Sequence, residues 1–212
     1  MKHLIKTSLL FLALFMPLSA MAYDFVVDGV YYMTDTWGNY AMVCEQGEDG
    51  GLYSGEVRIP ESVTNDGTLY PVRKIGAYAF NNCTELTSVK MPASIKEISD
   101  HAFENCSALS NVMIPDAVTV IGPAAFKDCA SITQINIPAS VTEVHIWAFE
   151  NCTSLTDVYC HIADPSAIDF NSLAFTLESE NYANRTLHVP AGSVNAYKEA
   201  GWNDYFGNIV EM

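Results

Sequence analysis

Phe80, Phe103, Phe126 and Phe149 stand 23 residues apart, and that interval governs most of the chain. Cys83, Cys106, Cys129 and Cys152 keep the same step, as do Leu86, Leu109, Ile132 and Leu155. Val89, Val112, Ile135 and Val158 follow in phase, and Pro92, Pro115 and Pro138 come after them. A period of this length marks a stack of coils, in which each repeat is one circuit of chain that cannot bury its apolar face alone. The expected fold class is a solenoid. Such stacks present long open surfaces, so the pattern favours binding over catalysis before any ligand is considered.

A single coil shows the logic. In the run from Leu86 to Ile98, Val89 and Met91 alternate with Ser88 and Lys90, which predicts a short strand with side chains pointing alternately in and out. Pro92 ends that strand, because it has no N–H to give to a ladder. Ile95 and Ile98 turn inward after a corner, Ala102-Phe103 sits in a tight helical or 3₁₀ turn, and Cys106 and Leu109 lead to the next strand. Every apolar phase points to one column.

The ends read differently. Lys2 and Lys6 precede an apolar stretch, Leu9 to Met16, and the small-x-small site Ala20-Met21-Ala22, so residues 1–22 are expected to be a cleaved signal peptide. Residues 23–56 read as a β-rich N-terminal cap, with a hairpin turning at Asp28-Gly29 and a strand over Tyr40 to Cys44. The repeats run from Val57 to Pro190, interrupted by a hairpin around Asn65-Asp66-Gly67. Residues 191–212 read as a C-terminal cap: a short helix with Ser193 as its cap residue and Gly201 as its end, and then Trp202, Tyr205 and Phe206 as cover.

Charge narrows the partners. The whole chain carries −15, and the leader holds two of its ten Lys and Arg and none of its 25 acids, so the remainder stands at −17. Nucleic acid and anionic membrane both require a basic footprint, and neither is expected as a partner. Outside the leader no stretch approaches the length of a membrane helix, so no membrane insertion is expected after cleavage. Six cysteines in an exported chain would ordinarily suggest disulfides. Four of them recur once per coil on the apolar side, which favours a ladder of buried free thiols; bridges between neighbouring rungs are the alternative.

Strand, proline, Ile-x-x-Ile, then Ala-Phe-x-x-Cys-x-x-Leu: this unit resembles the BspA-like leucine-rich repeats of bacterial surface proteins. Five units carry it in whole or part over residues 57–190, and four consecutive ones match at seven phases. The resemblance implies an α/β solenoid, here a short, curved leucine-rich-repeat stack. It implies secreted or cell-surface placement, and adhesion to a protein or glycan, host extracellular matrix included. No ligand motif comes with it.

Binding by such a stack is expected on the concave strand face. Its outward positions are Arg58, Lys90, Met113, Asn136, Tyr159 and His188, with Ser88, Asn111, Gln134 and Asp157 in the neighbouring column. A purely structural face could carry the same mixture. Tyr159 is the first choice, as an exposed aromatic with large contact area, and Lys90 and Arg58 come next. Six rungs give a face of about 400 Å², roughly half of one side of a standard interface, which predicts weak monovalent binding.

No catalytic activity is expected. Nucleophile elbow, P-loop and dinucleotide glycine patterns are missing from the sequence. His101, His145, His161 and His188 sit at variable repeat positions, and the adjacent pair Cys160 and His161 should point to opposite faces of a strand. Glu45, Glu48 and Asp49 lack the ligand spacing of a calcium loop, and no metal or cofactor is expected. Asn82, Asn105, Asn151 and Asn184 open N-x-Ser/Thr triplets, the first three of which the repeat itself explains. The sequence therefore predicts a secreted or surface adhesion protein, the alternative being a periplasmic or envelope scaffold that does not adhere.

Overall fold

The structure is a computed structural model that describes residues 23–46, 52–170, 173–176 and 184–212. The expected signal peptide lies outside these residues, as do Glu48 and Asp49. In chain order the strands are β1 (Phe25–Val27), β2 (Val30–Thr34), β3 (Ala41–Val43), β4 (Gly55–Arg58), β5 (Ser62–Asn65), β6 (Thr68–Ile75), β7 (Leu86–Lys90) and β8 (Glu97–Ile98). They continue as β9 (Asn111–Val112), β10 (Val120–Ile121), β11 (Gln134–Ile137), β12 (Glu143–Val144), β13 (Asp157–Cys160), β14 (Asp169–Phe170) and β15 (Thr186–Val189). One helix, α1 (Val194–Glu199), precedes the last strand, β16 (Asn208–Glu211).

Each coil has three sides. On the first, the strands foreseen from the alternation pair in parallel, β4 with β7 and β9, and β11 with β13 and β15, and a strand that was not foreseen, β16, joins β15. On the second, the two-residue strands β8, β10, β12 and β14 form a parallel ladder that continues through β6 to β3, β2 and β1. The third side is the Ala-Phe segment. It is a succession of hydrogen-bonded turns rather than the expected helical or 3₁₀ turn, because two residues per coil take left-handed backbone angles. Tyr78, His101, Ala124 and Trp147 fill the first of these positions, and Asn82, Asn105, Asp128 and Asn151 the second. Asn and Asp tolerate that conformation well. Asn105 donates to Asn82 at 2.9 Å and Asn151 to Asp128 at 3.1 Å, so the first three N-x-Ser/Thr triplets are explained by turn geometry.

The core is a set of columns running along the stack. Phe80, Phe103, Phe126, Phe149 and Phe175 form parallel plates with ring centroids 4.9, 5.1, 5.4 and 4.8 Å apart. Beside them the cysteines are free and buried. The Cys106, Cys129 and Cys152 thiols each donate to the Phe carbonyl of the preceding coil (Phe80, Phe103 and Phe126) at 3.0 to 3.2 Å. A thiol is small enough for the column and carries a weak donor that satisfies a buried C=O. Burial pushes Cys83 and Cys152 up to about 12 and raises Cys129 as well.

Both ends join this core. Asp28 and Gly29 have positive φ, as the β1–β2 hairpin turn demands, and Tyr32 stacks on Phe25. Tyr53 lies 4.7 Å from Phe80, at the head of the aromatic column. The inserted hairpin β5–β6 turns through Asp66-Gly67, also at positive φ. At the other end Trp202 packs at 3.9 Å on Phe170, and Phe206 meets Phe175 edge-on. Two details there differ from expectation. Ser193 precedes α1, but its hydroxyl donates to the Ala163 carbonyl at 2.7 Å instead of capping the helix. The segment is also not only helical: β16 adds a parallel strand to β15.

Stacking at this pitch leaves no room at certain backbones. A Cβ on Gly122 would stand 2.8 Å from the backbone of Ser99 and Asp100 in the coil before. Gly122→Ala is expected to destabilise the fold by about 1–3 kcal/mol, because the obstacle is backbone and cannot swing aside. Urea unfolding should show a lower midpoint at unchanged slope; an unaltered midpoint would refute the close approach.

Candidate functional site

Alternation along each strand delivers the outward side chains. Where one neighbour points to the core, the next points to solvent, and parallel pairing lines equivalent residues up. Arg58 pairs with Lys90, Asn136 with Tyr159, and Tyr159 with His188. The six expected positions thus form two groups rather than one continuous row. Met113, just beyond β9, stands between them, at the place where β9 and β11 do not pair. Val112 is only half-buried, although Val89, Ile135 and Val158 at the same phase are buried, so this strand sits proud of its neighbours. Met113 is 74% exposed.

The first group sets two cations on one carboxylate. Lys90 reaches Glu56 at 2.7 Å and Arg58 reaches the same carboxylate at 3.6 Å. The Lys90 ammonium, through hydrogen bond and charge, holds the Glu56 carboxyl below its usual range, with Arg58 adding to it. In the second group Tyr159 is half-buried, not an exposed aromatic as expected, because the His188 ring stacks on it at 4.3 Å and 13°. His188 Nε2 lies 2.8 Å from Asp157 Oδ1. That bond, with a second from Thr156, holds the Asp157 carboxyl below its usual range. Tyr159, His188 and Asp157 therefore form one preorganised plate.

Two open grooves flank the face along its proline margin. One, of about 600 Å³, lies between the Asp28-Gly29 turn and the first two coils, and includes Glu56, Arg58 and Lys90. The other, of about 860 Å³, lies at the break and includes Met113, Asn136 and His161. Met91 borders both.

Sequence reasoning passed over two further surface features. Tyr78 and His101 stack at 4.8 Å on the turn side, and Lys127 sits 5.5 Å over Trp147 in the same column. Their 23-residue step was visible, immediately before each Ala-Phe. Trp37 is 84% exposed on a loop whose Asp35 carboxylate accepts from the backbone N–H of Trp37, Asn39 and Tyr40. The grooves had no local signal, since they depend on how one coil sits on the next.

The adjacent Cys160 and His161 do not form a nucleophile–base pair. Cys160 is buried against the Tyr197 hydroxyl at 3.1 Å while His161 faces solvent. His101 and His145 each meet a neighbouring carboxylate, Glu104 and Glu143. Among the described residues no group of three or more His, Cys, Asp and Glu could hold a metal ion. Nor is any helix among them long and apolar enough to cross a membrane.

Comparison with known proteins agrees with the geometry. A leucine-rich repeat protein from Bacteroides capillosus is 30% identical, with 65% of this chain and 97% of that one covered at a TM-score of 0.56. A leucine-rich repeat protein from Bacteroides ovatus is 24% identical, with 89% and 55% covered at 0.54. A leucine rich cell surface protein from Faecalibacterium prausnitzii is 24% identical, with 88% and 50% covered at 0.52. This chain thus spans about half the length of the last two. No curated protein matches it. The model of the BspA type leucine rich repeat region matches residues 57–179 in six copies, and the chain belongs to that family.

Proposed function

We propose that this is a secreted or cell-surface protein that binds a protein or glycan, with adhesion as the outcome and no catalysis. The observation that carries the reading is the preorganised strand face, where Tyr159, His188 and Asp157 are locked by stacking and a 2.8 Å hydrogen bond. Rigid aromatic groups lose little entropy on binding and so contribute most to interfaces. The similarity to a cell surface protein of Faecalibacterium prausnitzii supports the placement. On this reading residues 1–22 are the leader, 23–56 and 191–212 cap a curved stack, and 57–190 form the repeats. The concave side is the face of β4, β7, β9, β11, β13 and β15. Its binding residues are Tyr159, Lys90, Arg58, Met113, Asn136 and His188.

Protease shaving of intact producing cells, beside a periplasmic control, is the test of placement. Release of fragments from intact cells is expected; protection until lysis would replace adhesion with an envelope scaffold. For the site, immobilised extracellular-matrix proteins and a glycan array should capture the protein weakly, in the micromolar range. Tyr159→Ala should then weaken capture about tenfold and Lys90→Ala somewhat less. Capture indifferent to both changes would remove the face from consideration.

A further inference from the structure

Three independent observations fall at one place on the strand face. The ladder opens between β9 and β11, the larger groove lies there, and Met113 is the most exposed large apolar side chain of the face. The second sheet runs unbroken through β8, β10 and β12 behind it, so the opening belongs to this face alone. At Met91 the larger groove meets the smaller one. Taken end to end, the two grooves form a furrow that reaches from the Asp28-Gly29 turn to His161, across five coils, with Met91 lining both. At the sheet spacing this is about 19 Å, the length of about six residues of extended chain.

The charges along the furrow choose its occupant. Arg58 and Lys90 are both engaged by Glu56, and Glu61 accepts the Ala93 N–H at 3.1 Å. Asp28 at one end and Asp116 beside Met113 meet no cation among the described residues. The groove at the Asp28 end is lined by Asp28, Glu56 and Glu61 against Arg58 and Lys90, so acids outnumber cations there and the local field is negative. Met91 and Met113 supply an adaptable apolar seat midway along the furrow.

We propose that this furrow binds an extended basic peptide segment of about six residues, with a Lys or Arg beside Asp28 and a bulky aliphatic side chain over Met113. The inference rests on the reading of the strand face as a binding surface and names its ligand class.

The test is an array of immobilised hexapeptides in which each position in turn is fixed as Lys, Glu, Leu or Gly, probed with the intact labelled protein. Lys near one end and Leu near the middle should be preferred about tenfold over Glu. Asp28→Asn should flatten the Lys preference alone, and Met113→Asp the Leu preference alone. Met113→Ala gives a milder loss in the same place, and the exposure of Met113 keeps the fold out of question. A flat array, or preferences that neither variant alters, would overturn the proposal. Fragment release from intact cells beside a flat array sinks the peptide inference only. Protection on intact cells sinks the surface reading whatever the array shows.

Discussion

Phe126→Ala should lower the stability of the protein by about 3–5 kcal/mol and its melting temperature by about 10 °C. Phe126 is the middle plate of the aromatic column, fully buried and stacked on Phe103 at 5.1 Å and Phe149 at 5.4 Å. Truncation removes the transfer energy of the ring and leaves a cavity bounded by coils whose pitch is fixed by backbone bonds, so collapse is hindered. It also cuts the column between two halves of the stack, and each coil relies on its nearest neighbours. Thermal unfolding followed by circular dichroism will measure the loss. A change below about 1 kcal/mol would mean that the column contributes little and that the backbone ladders hold the stack.

The second large effect concerns the thiols. At pH 8 the native protein should release no chromophore from a disulfide reagent such as dithionitrobenzoate, and all six cysteines should react in guanidinium. Two barriers combine. The thiols are inaccessible, so reaction waits for opening, which suppresses the rate at least about a thousandfold. Burial also disfavours the thiolate, with Cys152 pushed up to about 12 from 9.0. A raised value in the folded state means that the protonated thiol's contribution to stability is complete below pH 9 and is lost as pH climbs toward 12. Cys83 and Cys152, both pushed up to about 12, should therefore each steepen the fall of unfolding free energy above pH 9 by about 1.4 kcal/mol per pH unit. Fast reaction of even one equivalent in the native state would show that a rung of the ladder is open or already oxidised.

Much of this core is legible in the order of the amino acids alone. The phase of Phe103, Cys106, Leu109 and Pro115 placed the column, the thiols and the strand ends, because one period repeats one environment. Asp28-Gly29 and Asp66-Gly67 announced their hairpins through the backbone angles that they tolerate. The second sheet was hidden, since β8, β10 and β12 are two residues long and exist only because coils stack. Tyr159 looked exposed because its partner His188 arrives 29 positions later, after the 23-residue rhythm has failed. The opening between β9 and β11 carried no signal: Asn111-Val112-Met113 alternates as well as Gln134-Ile135-Asn136 does.

The thiol-to-carbonyl bonds from each coil to the one before it also bear on how the molecule comes into being. Cys106, Cys129 and Cys152 each reach back 26 residues, and most of the other long bonds reach back about as far. Every such contact closes a loop of nearly the same modest size, so no coil waits for a distant part of the chain. Folding can begin at the tyrosine-rich first layer as soon as it emerges and extend like a zip, one circuit per 23 residues of chain delivered. The order of emergence then sets the order in which neighbouring coils can stack.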